Sequence, residues 1–262
     1  MSEARHSRRV PEGVHERGRD GVVQDPAAHD RVVRSMFARI ARIYDFMNHA
    51  LSFNRDRAWR RDLVRALDPG TDLLVDLCAG TGDLGLAALR GGRCRRVVAA
   101  DFTPAMLAAG RGKGLGAQIP AVAADAQALP LRDGCADAVA VGFGVRNLAD
   151  LRRGLAEMRR ILRPGGRLLV LDFFRDDPTA AGADRGAARP LRRGLDLALP
   201  LAGRLLGRDH AAYAYLAASR DRFVTPAEFA ALLGEFGFRD ILVRRQTLGI
   251  AHLIGGRLGT TD

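Results

Sequence analysis

The chain has 262 residues, 47% of them hydrophobic, and its 41 Lys and Arg against 30 Asp and Glu give a formal charge of +11. Length and apolar content support one full-sized core and exclude a chain too polar to fold. No run of about 18 uncharged apolar residues occurs, and the segment MSEARHSRRVPEGVHERGRD has no apolar centre, so neither a spanning helix nor a secretory signal is expected and the protein is placed in the cytoplasm.

Residues 1–30 mix charge with Gly and Pro without periodicity and are expected to form a disordered tail. Residues 31–68 have helical character, with Phe37, Ile40, Ala41 and Tyr44 on one face and Trp59, Leu63 and Leu67 on another, so a helical N-terminal cap is predicted. From Leu73 the strand runs LLVDLC, VVAADF, AVAADA, ADAVAVGF and RLLVLDFF alternate with helices, one opened by Pro104 and one striped by Leu151, Leu155, Met158 and Leu162. That alternation predicts an α/β core over 69–175 with a parallel sheet. An insertion over 176–222, expected to be helical, carries LDLALPLAGRLLG and YAYLAAS. Residues 223–262 read as a helix from Pro226 to Phe236 and two strands, ILVRRQTL and AHLIGGRL, close enough to form an antiparallel hairpin.

The arginines are scattered along helices with acids among them rather than gathered in one block, so no nucleic-acid footprint is expected. Lys113 is the only lysine. Cys78, Cys94 and Cys135 are odd in number, lie in or beside apolar runs and form no C-x-x-C, which points to reduced, mostly buried thiols rather than disulfides or a metal site.

The first core strand runs into DLCAGTGDLG, where Gly80, Gly82 and Gly85 satisfy G-x-G-x-x-G. The flanking charges choose the ligand. A pyrophosphate at the helix N-terminus would meet Asp83, whereas S-adenosylmethionine (SAM) has no phosphate and carries an ammonium and a sulfonium that Asp76 and Asp83 favour. Asp101 ends the second strand, where an acid grips ribose hydroxyls in doubly wound folds, and Asp125 with the Ala126 N–H follows the third, placed for the adenine amino group. Asp133 and Asp137 read as turn residues before the fourth strand.

These residues resemble class I SAM-dependent methyltransferases and, more closely, the UbiE/COQ5-type family that C-methylates quinone precursors in menaquinone and ubiquinone biosynthesis. The likeness spans roughly 37–258 and rests on FARIARIYDFMN, LSFNRDRAWR, DLCAGTGD, AADFTPAML, AADAQALPLRDGCAD, GFGVRNLAD, EMRRILRPGGRLLVLDF, YAYLAAS and FGFRD. It implies a Rossmann-like sheet of seven mostly parallel strands with an antiparallel C-terminal hairpin, and a SAM pocket lined by Thr81, Asp101, Asp125, Ala126 and Gly142. The family often has Ser where Gly142 stands, Gly at Asn54, His at Asp56 and Glu at Asp172.

For such chemistry a ring hydroxyl must ionise, the adjacent carbon must attack the methyl group in line, and the ring proton must leave, with no metal expected. Arg146 and Asn147 are the candidates to hold and orient the phenolate, or else a pair anchoring the loop. Tyr44, Asp45 and Asn48 either cap the pocket or serve packing, and Tyr213 and Tyr215 either line the acceptor channel or belong to the core. His49, His210 and His252 are expected to be structural. The expected acceptor is a polyprenyl quinol, naphthoquinol or benzoquinol. LDLALPLAGRLLG could shelter its tail, touch the inner face of the cytoplasmic membrane peripherally, or simply pack on the sheet. A homodimer is the default assembly. The rival readings are a methyltransferase for another small acceptor or RNA, and a SAM-binding regulator.

Overall fold

The computed structural model describes residues 23, 25–176, 215 and 218–260. Five strands, β1 (Thr71–Leu77), β2 (Cys94–Asp101), β3 (Ala121–Ala123), β4 (Ala136–Gly142) and β5 (Leu162–Asp172), run parallel, and β6 (Phe238–Gln246) and β7 (Ala251–Leu258) join them antiparallel. The order across the sheet is β3-β2-β1-β4-β5-β7-β6. The C-terminal hairpin thus inserts its second strand beside β5 and leaves β6 at the edge, where Arg239, Asp240, Arg244 and Arg245 are exposed. Charges on an outermost strand discourage pairing with a second sheet.

Successive residues of the central strands serve opposite faces. Val75, Val139 and Val170 pack with Leu155 and Met158 of α6 (Leu151–Ile161) and Phe229 and Leu233 of α7 (Pro226–Glu235). Leu74, Ala140 and Leu169 pack on the other side with Trp59 and Leu63 of α3 (Arg55–Arg65) and Leu84 and Ala88 of α4 (Asp83–Arg90). Because both faces are covered, these strands are apolar throughout instead of alternating with polar residues. Leu162, assigned from periodicity to the α6 stripe, instead opens β5.

The cap consists of α1 (Pro26–Ile40), α2 (Tyr44–Leu51) and α3, with Val33, Met36, Ile40, Met47 and Tyr215 in a cluster of their own. Here the structure corrects the expected extent of the irregular tail, because α1 already begins at Pro26. The Asp25 carboxylate accepts the Ala28 N–H at 2.9 Å, and Pro26 occupies the first turn, where its missing N–H costs nothing. LDLALPLAGRLLG, His210 and Tyr213 lie outside the described residues.

Strand order reverses at β1, which has β2 on one side and β4 on the other. In open α/β sheets ligands bind beyond the strand ends at such a switch point.

Candidate active site

Beyond β1 the backbone turns tightly through Gly80 and Gly82 at φ +59° and +84°. A side chain on Gly82 would meet Leu115 at 2.7 Å. This turn brings the Gly80 N–H to Asp101 Oδ2 at 2.8 Å, while Asp101 Oδ1 accepts the Thr103 N–H at 2.8 Å. Asp101 is thereby fixed at the end of β2, and each oxygen retains a lone pair for a ligand hydroxyl. Beyond β4, a Cβ on Gly144 would stand 2.3 Å from the Cys78 Cβ, so only glycine lets the two strand-end loops meet there. Gly142 has ordinary room, with Leu84 at 3.5 Å, and takes no part in that close approach.

These loops line a cavity partly open to solvent, with about 700 Å³ of empty space counting the part outside its mouth. Its walls include Cys78 and Gly80 after β1, Asp101 and Phe102 after β2, Asp125, Ala126 and Gln127 after β3, and Phe143, Gly144 and Asn147 after β4. Asp30, Val33, Phe37 and Tyr44 of the cap close it. Asp30, Asp101 and Asp125 line it with no Lys or Arg among the lining residues, so the cavity suits a cationic ligand and repels a pyrophosphate. Burial, reinforced by Asp125 and opposed by a Gln127 hydrogen bond, pushes the Asp30 carboxyl up to about 6. Burial also raises Asp101, against the pull of the Thr103 and Gly80 N–H groups. It raises the Cys78 thiol well above its ordinary range, which makes it a wall and not a nucleophile.

Of the residues singled out from sequence, Tyr44, Gly80, Asp101, Asp125, Ala126 and Asn147 come together in this lining. Asp45, Asp76, Thr81, Gly82, Gly142 and Arg146 stand outside it. Asp83 is paired with Lys113 at 2.5 Å, so the case against a phosphate ligand passes from Asp83 to the three lining acids. Thr81 and Asp45 bond each other. Asp76 lies beneath the glycine loop and accepts the Gly85 N–H at 2.8 Å.

Arg146 is buried behind the lining. It donates to Asp172 Oδ1 at 2.5 Å and to the Phe143 carbonyl at 2.8 Å, and its guanidinium lies 5.3 Å from the centre of the Phe173 ring. Burial works against its charge, but Asp172 first and Tyr44 next more than offset this and hold its pKa above the usual value. Asn147 is gripped from three sides. Tyr215 donates to its Oδ1 at 3.1 Å, its Nδ2 reaches the Phe143 carbonyl at 3.4 Å, and its own carbonyl accepts from His29 Nε2 at 3.0 Å. Burial raises the Tyr44 hydroxyl, with Asn48 and Arg146 opposing.

His49 bonds Asp56 at 2.9 Å, and His252 stands opposite Asp172 in the β5–β7 register with its ring edge-on to Phe174. Asp137 accepts the Leu73 N–H at 2.7 Å and ties β4 to β1, and Asp133 pairs with Arg160. Sequence reasoning missed Asp30 and Gln127. The Asp25-Pro26 helix start was the signal that would have brought Asp30 into the cap.

A sequence model of the ubiE/COQ5 methyltransferase family matches residues 25–256. The chain belongs to that family. Relatives within reach of this ubiE/COQ5 methyltransferase include the ubiquinone/menaquinone biosynthesis C-methyltransferase UbiE of Acidiphilium cryptum, 38% identical over 86% of this chain and 89% of its own. The demethylmenaquinone methyltransferase of Thermus thermophilus is 39% identical over 85% of this chain and 100% of its own, and that of Mycolicibacterium vanbaalenii 41% identical over 84% and 92%. Among solved structures, the 1,6-didemethyltoxoflavin-N1-methyltransferase of Burkholderia thailandensis superposes with a TM-score of 0.61 at 19% identity, covering 92% of this chain and 93% of its own. That likeness confirms the class I methyltransferase fold. The seven-stranded sheet, the family and the acid-lined cavity agree on SAM as the methyl donor of this ubiE/COQ5 methyltransferase.

One buried acid gives this site a pH signature. Burial pushes the Asp76 carboxyl up to about 7, opposed by the Gly85 N–H, and its Oδ1 is buried without a hydrogen bond among the described residues. Between about pH 4, where the unfolded chain releases this proton, and about pH 7 the native state still holds it. Native binding of the extra proton makes stability fall as pH rises through that window, by a few kcal/mol to order of magnitude. Asp76→Asn is expected to flatten this segment of a urea-midpoint against pH curve, and an unchanged slope would remove Asp76 as its source.

Proposed function

We propose that this methyltransferase C-methylates a polyprenyl quinol precursor, converting demethylmenaquinol and SAM to menaquinol and S-adenosylhomocysteine. The observation that carries the proposal is the cavity at the β1/β4 switch point. Three acids and no basic residue line it, Tyr44 and Asn147 stand in its wall, and the chain around it matches the family over 25–256.

In this reading Asp101 accepts both ribose hydroxyls, Asp125 accepts the adenine amino group, the Ala126 N–H meets the ring, and the Gly80 turn lets backbone approach the amino-acid end. SAM supplies an electrophilic methyl group. Tyr44 and Asn147 orient the ring hydroxyl next to the attacking carbon. Arg146, held by Asp172, supplies fixed positive charge behind them that favours the phenolate, and the cap keeps water from the reacting atoms.

The relatives' names support the naphthoquinol as acceptor, because menaquinone synthesis is common to the three quoted and ubiquinone synthesis is not. With demethylmenaquinol and its benzoquinol counterpart of equal tail length supplied separately, kcat/KM is expected to favour the naphthoquinol by about tenfold or more, the scale of a ring-sized difference in pocket fit. Equal values would leave the acceptor ring unassigned by this site. Among the described residues no helix is long and apolar enough to cross a membrane. Peripheral contact with the bilayer that holds the quinol tails is part of the proposal, supported by the exposed rings of Phe46 and Phe53 in the cap.

A further inference from the structure

The one lysine in a chain whose other permanently cationic side chains are all arginine closes a short 3-10 turn, Arg111–Lys113, after the helix α5 (Pro104–Gly110). Arg90 fixes that turn by donating to the Lys113 carbonyl at 2.8 Å. The Lys113 ammonium then reaches three acceptors on three elements. It donates to Thr81 Oγ1 in the glycine loop at 2.7 Å, lies 2.6 Å from Asp45 Oδ2 on α2, and donates to Asp83 Oδ1 in the first turn of α4 at 2.5 Å. The Thr81 hydroxyl in turn donates to Asp45 Oδ1 at 2.6 Å, so it is oriented as both acceptor and donor.

None of these four residues lines the cavity, but two of their chain neighbours do: Tyr44 precedes Asp45, and Gly80 precedes Thr81. The Tyr44 ring stands 3.8 Å from the point where a Gly80 Cβ would be. We propose that Lys113 is a positioning residue that latches α2 across the glycine loop and so holds Tyr44 as a wall of the methyl-donor site. The inference rests on assigning that cavity to SAM.

The chemistry of the junction calls for an ammonium. The Asp45 and Asp83 carboxylates approach the same nitrogen, and without a cation between them they would drive α2 away from α4. Arg60 does not replace it, since its guanidinium is hydrogen-bonded to Asp56 and comes no nearer than 3.9 Å to Asp83. Three donors radiating from one tetrahedral nitrogen serve three acceptors around a point, whereas a planar guanidinium spreads its donors over a fork. This accounts for lysine at the single position where the chain departs from arginine.

The test compares wild type, Lys113→Met and the double variant Lys113→Met/Asp83→Asn by amide hydrogen exchange without ligand and by calorimetric binding of S-adenosylhomocysteine. Lys113→Met is expected to speed exchange in α2 while β1 and β4 keep wild-type rates, and to raise Kd about tenfold, with part of both effects recovered when Asp83→Asn removes the repulsion. Unchanged α2 exchange, or acceleration spread evenly over the sheet, overturns the latch. Should Lys113→Met fail to fold, Thr81→Val removes the bridging hydroxyl without freeing a charge, and the same α2 readout decides. If wild type binds no S-adenosylhomocysteine, the cavity assignment fails, and the α2 exchange rates still judge the latch.

Discussion

Asp101→Ala is expected to weaken S-adenosylhomocysteine binding by about a hundredfold, close to 2.7 kcal/mol. In the proposed complex two ribose hydroxyls donate to one ionised carboxylate, and a hydrogen bond to a charged acceptor contributes about 1.5–3 kcal/mol. The substitution also leaves the Gly80 and Thr103 N–H groups without the acceptor that shapes the loop. Affinity loss should therefore come with a lower unfolding temperature. Titration calorimetry with the folded variant measures the first effect and a thermal scan the second. Because burial already raises the Asp101 carboxyl, wild-type affinity should fall as pH drops through its folded-state pKa, and the variant should lack that fall. Binding at wild-type strength would place the ribose elsewhere.

Arg146 carries the second large effect, because its partner Asp172 is as deeply buried as it is. Arg146→Met leaves that carboxylate without its guanidinium, which typically destabilises a protein by about 3–5 kcal/mol. The loss should deepen as pH rises, since acid can protonate the abandoned carboxyl. Arg146→Met/Asp172→Leu replaces both charges with apolar groups and is expected to regain most of the stability. Turnover should stay depressed by about a hundredfold or more in that double variant, with donor affinity near wild type, because the positive charge behind Tyr44 and Asn147 is gone. Recovery of turnover along with stability would reduce Arg146 to a tie between β4 and β5.

The sheet was legible in the sequence to a large degree because its strands are short apolar runs ending in Gly, Asp or Pro. The order of the terminal hairpin was not read, although the arginines of β6 against the almost wholly buried β7 fit an edge and an inner strand. That Asp101, Asp125 and Ala126 gather at the strand ends in the cavity wall was legible for a related reason. A residue at the carboxyl end of a parallel strand is placed by the sheet itself.

What could not be read depends on distant partners. Arg146 and Asp172 are 26 residues apart and Lys113 and Asp45 farther still, and no periodicity encodes such meetings. From sequence Thr81, Asp45 and Asp83 each looked free to face the ligand, and the ammonium that engages all three turns them toward one another. Gly142 and Gly144 looked equivalent in VGFGVRN, yet only Gly144 lies so close to the Cys78 Cβ that no side chain fits there.

The central claim is that this cavity passes a methyl group from SAM to a quinol carbon. Incubation of the protein with methyl-labelled SAM and chemically reduced demethylmenaquinol tests it most directly. Label is expected on the ring carbon of menaquinol, with one S-adenosylhomocysteine released per methyl transferred. Label absent from the quinol, while calorimetry shows the same preparation binding SAM, would contradict it.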